Sequence, residues 1–146
     1  MAASCVLASL GAGDPEARRH RRKEHLRVVL IEDNEVFRQA LELLLALQGQ
    51  IEVVASEPDG ANAAVLCDEL RPDVILVDYR LPGLDGVQVT KLVHEHCPDV
   101  AIVALTAAAG EREIQAMLAA GAVAYVRKDE SLDAIVGAIR AAAPVT

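Results

Sequence analysis

The sequence has no tryptophan, one phenylalanine and two tyrosines among 146 residues, so aromatics make up only 2% of it. Any core this chain builds must be aliphatic and rich in alanine. No apolar run approaches the roughly 20 residues a helix needs to cross a bilayer. Residues 1–13 are mildly apolar but lack a positive leading region, so they do not read as a secretory signal. Cysteine is scarce too. Cys5, Cys67 and Cys97 are an odd set without a CxxC pair, which fits free thiols in a reducing compartment rather than a disulfide framework. The expected location is the cytoplasm, with no membrane contact.

What is present suffices for one folded domain. A chain that is 53% hydrophobic and 25% charged is globular in composition, and its length allows a full core. The net charge of -8 conceals an asymmetry. Residues 1–27 hold Arg18, Arg19, Arg21, Arg22, Lys23 and Arg27 against Asp14, Glu16 and Glu24, a net of +3 that leaves -11 for the rest. Gly11, Gly13 and Pro15 punctuate this stretch rather than build structure. We expect residues 1–26 to be an extension outside the domain, 27–143 the domain and 144–146 a tail. A basic run can touch nucleic acid, but a solvated tail is the simpler account. Gly11-Ala-Gly13 imitates a dinucleotide fingerprint, yet Glu16 stands where the third glycine belongs, so that reading fails.

From Arg27 the chain alternates strand and helix. Strands are expected at 27–31, 51–55, 74–77, 100–105 and 123–126. The continuous aliphatic run Val74-Ile-Leu-Val77, stopped by Asp78 and the turn formers Pro82, Gly83, Asp85 and Gly86, reads as a strand buried on both faces. Asn34 can cap a first helix whose Phe37, Ala40, Leu41, Leu44 and Leu47 share one face. Pro58 and Asp59 open a second through Leu66 and Leu70. A third at 87–96 turns Val89, Leu92 and Val93 inward. Ile114, Met117 and Leu118 define a fourth closed by Gly121. Leu132, Ile135, Val136 and Ile139 face inward from a fifth. The outcome is a doubly wound α/β domain, with a five-stranded parallel sheet in the flavodoxin-like order 2-1-3-4-5 and five helices on both faces.

In such a sheet, ligands bind beyond the carboxyl ends of the strands. The residues that interrupt the apolar runs at that end are Glu32 and Asp33, Asp78, Thr106 and Lys128. One acid ending a strand is as readily a cap or a turn residue; five polar groups at one edge are not. Three carboxylates brought together repel, and a hard divalent cation such as Mg2+ relieves that repulsion. The set suits phosphoryl transfer. Asp78 would be the nucleophile that forms an acyl phosphate, with Mg2+ neutralising the developing charge. Lys128 would add a point charge and Thr106 a hydroxyl for the phosphoryl oxygens.

The span 27–143 resembles a response-regulator receiver domain of two-component signalling. It has Glu32-Asp33, Asp78, Leu81-Pro-Gly83 with Asp85-Gly86, Thr106, and Tyr125 ahead of Arg127-Lys128; Ala124-Tyr-Val-Arg-Lys-Asp129 is similar to the NarL-type subgroup. The resemblance implies that Asp78 is the phosphoacceptor, taking its group from a sensor histidine kinase or phosphotransfer protein. It implies Mg2+ on Asp33, Asp78 and the backbone carbonyl of Arg80, with Glu32 acting through water. Phosphate would be bound by Thr106, Lys128 and the backbone of Ala107. Thr106 and Tyr125 would form the switch pair, and Arg80 and Ala108 would flank the path of water and set the phosphorylated lifetime. A phosphorylation-dependent homodimer is a further expectation, and turnover of a separate substrate is not. NarL-type regulators continue into a DNA-binding domain; at -11 this receiver has no basic face for DNA of its own.

Many receivers carry proline after the lysine, where Asp129 stands here. A cis bond before a non-proline residue costs about 2.5–4 kcal/mol, against about 0.5–1 before proline, so the Lys128–Asp129 bond should be trans. Two other readings compete. A degenerate receiver would be a constitutive binding module. A phosphatase of the haloacid-dehalogenase type would want an acid two residues after its nucleophile, and Arg80 is there instead. His94, His96 and Cys97 look like metal ligands, but helix positions two apart do not share a face.

Overall fold

A strand at the centre of a parallel sheet is covered on both sides, so all its residues can be apolar. The computed structural model, which describes residues 25–107 and 110–144, is built on three such strands. Residues 1–24 of the expected extension, Ala108, and Val145 and Thr146 of the expected tail lie outside the described residues. The chain runs β1 (Leu26–Ile31), α1 (Glu35–Ala46), β2 (Ile51–Glu57), α2 (Ala63–Leu70), β3 (Val74–Asp78), α3 (Gly86–His96), β4 (Ala101–Thr106), α4 (Glu111–Ala120), β5 (Ala124–Arg127) and α5 (Leu132–Ala142). The sheet is parallel throughout, in the expected order β2-β1-β3-β4-β5.

Strand side chains alternate between two aliphatic cores. Val28, Leu30, Val74 and Leu76 pack with Leu41 and Leu45 of α1 and Ile135 and Ile139 of α5. On the other face Val29, Ile31, Ile75 and Val77 pack with Ala63, Cys67, Val89, Val93 and Met117 from α2, α3 and α4. Cys67 and Cys97 are free and buried. Register brings Ile31 beside Val77, Asp78 beside Leu105, and Thr106 beside Arg127, so the strand ends that carry polar groups lie along one edge.

Three helix expectations need correction. Leu44 and Leu47 of the first helix are 41% and 71% exposed and Ala40 is also exposed, while Leu45 is fully buried. Glu35, Arg38, Gln39 and Glu42 share one side, but the apolar arc left over is wide, so composition left the centre of the inward stripe open. Leu92 of α3 is likewise exposed, because the face that meets the sheet is Val89, Thr90 and Val93. The second helix begins at Ala63 rather than at Pro58: β2 runs on to Glu57, and the Asp59 carboxylate accepts the Ala61 N–H at 3.0 Å in a turn of its own. No peptide bond among the described residues is cis, so Lys128–Asp129 is trans as expected. Side chains tie that loop: Asp129 accepts two hydrogen bonds from the Arg127 guanidinium, at 3.1 and 2.7 Å, and Glu130 accepts the Arg127 N–H at 2.6 Å.

Candidate functional site

Each strand delivers its polar residue through a specific local device. After β1, the Asn34 side chain caps α1 by accepting the Phe37 N–H at 2.9 Å, which turns the chain away at the sheet edge. Glu32 is left fully buried, its Oε2 accepting the Asn34 N–H at 2.9 Å and its carbonyl accepting from the Arg38 guanidinium at 2.9 Å. Asp33 is exposed at the rim. After β3, the chain reverses through Gly83, whose φ of +73° is a left-handed conformation that favours glycine. It then enters α3 through a capping box between Asp85 and Gln88. Gly86 is required there: a Cβ would stand 2.3 Å from the Asp78 carbonyl oxygen and 2.7 Å from the Tyr79 Cα.

Asp78 is buried, with Oδ1 accepting the Arg80 N–H at 3.2 Å and Oδ2 accepting from Lys128 Nζ at 3.0 Å. Lys128 is placed by its own N–H, which donates to the Thr106 carbonyl at 2.8 Å. Its ammonium also lies 2.7 Å from Glu32 Oε1, a close ion pair whose alignment leaves that oxygen without a directed hydrogen bond. The Phe37 ring centroid is 5.3 Å from the same Nζ, within reach of a cation–π contact. Thr106 is fully buried and its hydroxyl has no hydrogen-bond partner among the described residues. Ala107, next along, is exposed; Tyr125 on β5 is 46% exposed, so its ring lies toward solvent.

Burial pushes the Asp78 carboxyl up to about 6; the hydrogen bond from Lys128 opposes this and the nearby Glu32 charge adds to it. Burial by itself would lower Lys128, but its close contacts with the Glu32 and Asp78 carboxylates prevail and hold the ammonium above its usual range. Carboxylate oxygens of Glu32, Asp33 and Asp78 lie within 4.8 Å of one another, the one such group of three or more potential metal ligands among the described residues. Three carboxylates against a single ammonium leave negative charge uncompensated, and hard oxygen donors suit Mg2+. The residues fit that ion.

Thus the expected residues Glu32, Asp33, Asp78, Thr106 and Lys128 come to one edge. Arg80 contributes its N–H there, while its side chain turns outward to Glu113 of α4. His94 and His96 stand apart from this group: His96 Nδ1 faces the Leu92 carbonyl at 2.9 Å, and the His94 ring packs over Gly121, the C-cap of α4.

Comparison with known proteins decides the family. Residues 28–140 match the model of the response regulator receiver domain. The chain belongs to that family. It is 34% identical over 118 residues to the transcriptional regulatory protein DegU of Brevibacillus brevis, covering 81% of this chain and 50% of DegU. It is 38% identical over 117 residues to the transcriptional regulatory protein LiaR of Bacillus subtilis, covering 80% of this chain and 56% of LiaR. The chain therefore spans about half the length of the curated relatives it matches. The signal receiver domain of the response regulator NarL from Mycobacterium tuberculosis superposes with a TM-score of 0.75 at 34% identity, over 80% of this chain and 94% of that one. The likeness to NarL-type receivers expected from residues 124–129 is present in both sequence and structure.

Reasoning on the sequence alone missed three members of this receiver's site. Phe37 under Lys128 and Arg38 on the Glu32 carbonyl sit in the first turn after the Asn34 cap, where polar or aromatic residues at the sheet edge are a weak signal. Glu113 is 33 positions from Arg80, and nothing local announces the pair.

Proposed function

We propose that this receiver is a phosphorylation-activated switch of a two-component system, accepting a phosphoryl group on Asp78 from a histidine kinase or phosphotransfer protein. The observation that carries the reading is a buried carboxylate held between an ammonium and a backbone N–H, beside two further acids and a buried hydroxyl without a partner. An Asp78 oxygen forms the new bond to phosphorus as the phosphorus–nitrogen bond of a phosphohistidine breaks; the electron pair stays on that nitrogen, and the ring, already protonated on its other nitrogen, leaves as neutral imidazole. Mg2+, held by Asp33, Asp78 and the Arg80 carbonyl with Glu32 behind a water, would supply charge neutralisation during transfer. Lys128 orients the acceptor and then meets a phosphoryl oxygen, and the backbone of Ala107 donates to another. Phosphorylation adds about -1.5 to -2 charges and three acceptor oxygens. The Thr106 hydroxyl, lacking a partner at rest, moves to one of these, and the Tyr125 ring turns inward behind it. The changed surface of α4, β5 and α5 then docks a partner or a second copy.

The receiver occupies residues 27–143 and works in the cytoplasm without separate substrate turnover. Its relatives are transcriptional regulators about twice as long, so DNA contact in a regulator of this kind falls to residues other than these. Treatment with acetyl phosphate and Mg2+ followed by mass spectrometry tests the assignment. One acid-stable, base-labile phosphate on Asp78, absent in Asp78→Asn, is the expected result. Phosphate elsewhere, or equal labelling of the variant, would overturn it.

A further inference from the structure

Arg80 follows Asp78 by two residues, but its guanidinium does not turn in toward that carboxylate. It reaches instead to α4, where Nη2 lies 3.3 Å from Glu113 Oε1. The two members of this pair are unequally held. The Arg80 side chain is 76% exposed and that of Glu113 only 23%.

Glu113 has its own reason to be where it is. Gly110 is the N-cap of α4 and offers no side chain to the free N–H groups of the first turn, and Glu113 is the third residue after it. Its side chain folds back over the cap, so that a Cβ on Gly110 would stand 3.3 Å from Glu113 Cγ and 3.6 Å from Oε1. An acid at this position is favoured by the helix dipole and by the unsatisfied N–H groups. Glu113 is therefore an acid seated over the helix end, and Arg80 is a long, exposed cation that reaches it directly.

We infer that Glu113 is a positioning residue that holds Arg80 at the rim of the pocket and competes with a phosphoryl group on Asp78 for its guanidinium; this rests on the reading of Asp78 as phosphoacceptor. The phosphoryl group carries more charge than the carboxylate and offers the same forked hydrogen-bonding geometry that guanidinium prefers. In the phosphorylated protein Arg80 divides its time between the two anions. While on the phosphoryl oxygens it covers the phosphorus against in-line water; while on Glu113 it leaves that path open. Each exchange also unties the loop after β3 from the first turn of α4, so the state of the acceptor is passed directly to that helix.

The test is a set of decay curves. Wild type, Glu113→Gln, Arg80→Ala and the double variant are labelled with acetyl phosphate and Mg2+, the donor is removed, and loss of phosphate from Asp78 is followed. Glutamine keeps the size of the side chain and its reach to the cap, Arg80 is solvent-facing, and a thermal unfolding curve for each variant shows that the fold is kept. Glu113→Gln should lengthen the phosphorylated lifetime about two- to fivefold, the scale an exposed ion pair commands. Arg80→Ala should shorten it, and the double variant should decay like Arg80→Ala. Decay of Glu113→Gln at or above the wild-type rate, or the same lengthening when Arg80 is already absent, overturns the inference. Should wild type fail to take phosphate on Asp78 at all, the phosphoacceptor reading falls, and the inference with it. Labelling without coupling between the two positions removes the inference alone.

Discussion

β3 has a buried aspartate at each end, and the two are employed oppositely. Asp73, just before the strand, accepts the Arg27 N–H on Oδ2 at 2.9 Å, while its own N–H and carbonyl bond to Arg27 and Ala101 at 2.8 and 3.1 Å. It clips β1, β3 and β4 together at the amino edge. Asp78 stands a few residues on among like charges, and burial lifts its carboxyl to about 6. Burial alone does not make an acid reactive. Each accepts one backbone N–H; what separates the two is that Asp78 also stands beside the acids Glu32 and Asp33 and shares one ammonium with Glu32.

Swapping the two fates gives the largest expected effect. Asp78→Asn should lose all labelling by acetyl phosphate, yet gain about 1–2 kcal/mol in urea unfolding at pH 7.5 without Mg2+, because burial makes the charged form of Asp78 costly in spite of its Lys128 partner. Asp73→Ala should keep its labelling and lose about 1–3 kcal/mol, since it strands the Arg27 N–H. An Asp78→Asn protein less stable than wild type would erase the contrast.

Mg2+ sharpens the same comparison. At a hundredfold excess over its dissociation constant the ion should stabilise wild type by about 2.7 kcal/mol. Asp33→Asn should lose most of that gain and Asp73→Ala none of it, as read from unfolding midpoints with and without the ion.

The pH profile follows from the sign of the Asp78 shift. The unfolded chain releases this proton near 3.8 and the folded protein near 6, so between those values the folded state binds more protons. Stability in Mg2+-free buffer should therefore fall as pH rises from about 4 to about 6 and level off above. Asp78→Asn should remove that component, and a difference profile that is flat across the window would contradict the shift. Thr106→Val should have the smallest effect. It deletes a buried hydroxyl with no partner, so the resting protein should be unchanged or up to about 1 kcal/mol more stable in the same assay.

The carboxyl edge was legible because each polar residue there breaks an aliphatic run, and strand residues cannot shift by one without reversing faces. The gathering of Glu32, Asp33, Asp78, Thr106 and Lys128 followed from that, while the strand order came with the receiver resemblance. Helix phase was less legible. In α1 nearly every position from Val36 to Leu47 is apolar or neutral, and only packing against β1 and β2 selects Leu41 and Leu45 over Leu44 and Leu47. The Arg80–Glu113 pair joins two loops far apart in sequence, and side-chain direction at a surface is decided by the assembled edge.

Phe37, Tyr79 and Tyr125 are the whole aromatic complement of the chain. Phe37 lies beside Lys128, Tyr79 directly follows Asp78, and Tyr125 pairs with Ala104 on the strand that leads to Lys128. With no tryptophan anywhere, ultraviolet emission from the folded protein comes from two phenols, both near the acid cluster, and the amino edge is optically silent. Tyr79 is partly buried and Tyr125 exposed, so a soluble quencher reaches them unequally. The unlabelled protein thus carries its own optical reporter, and that reporter sees only the end of the molecule that gathers the acids.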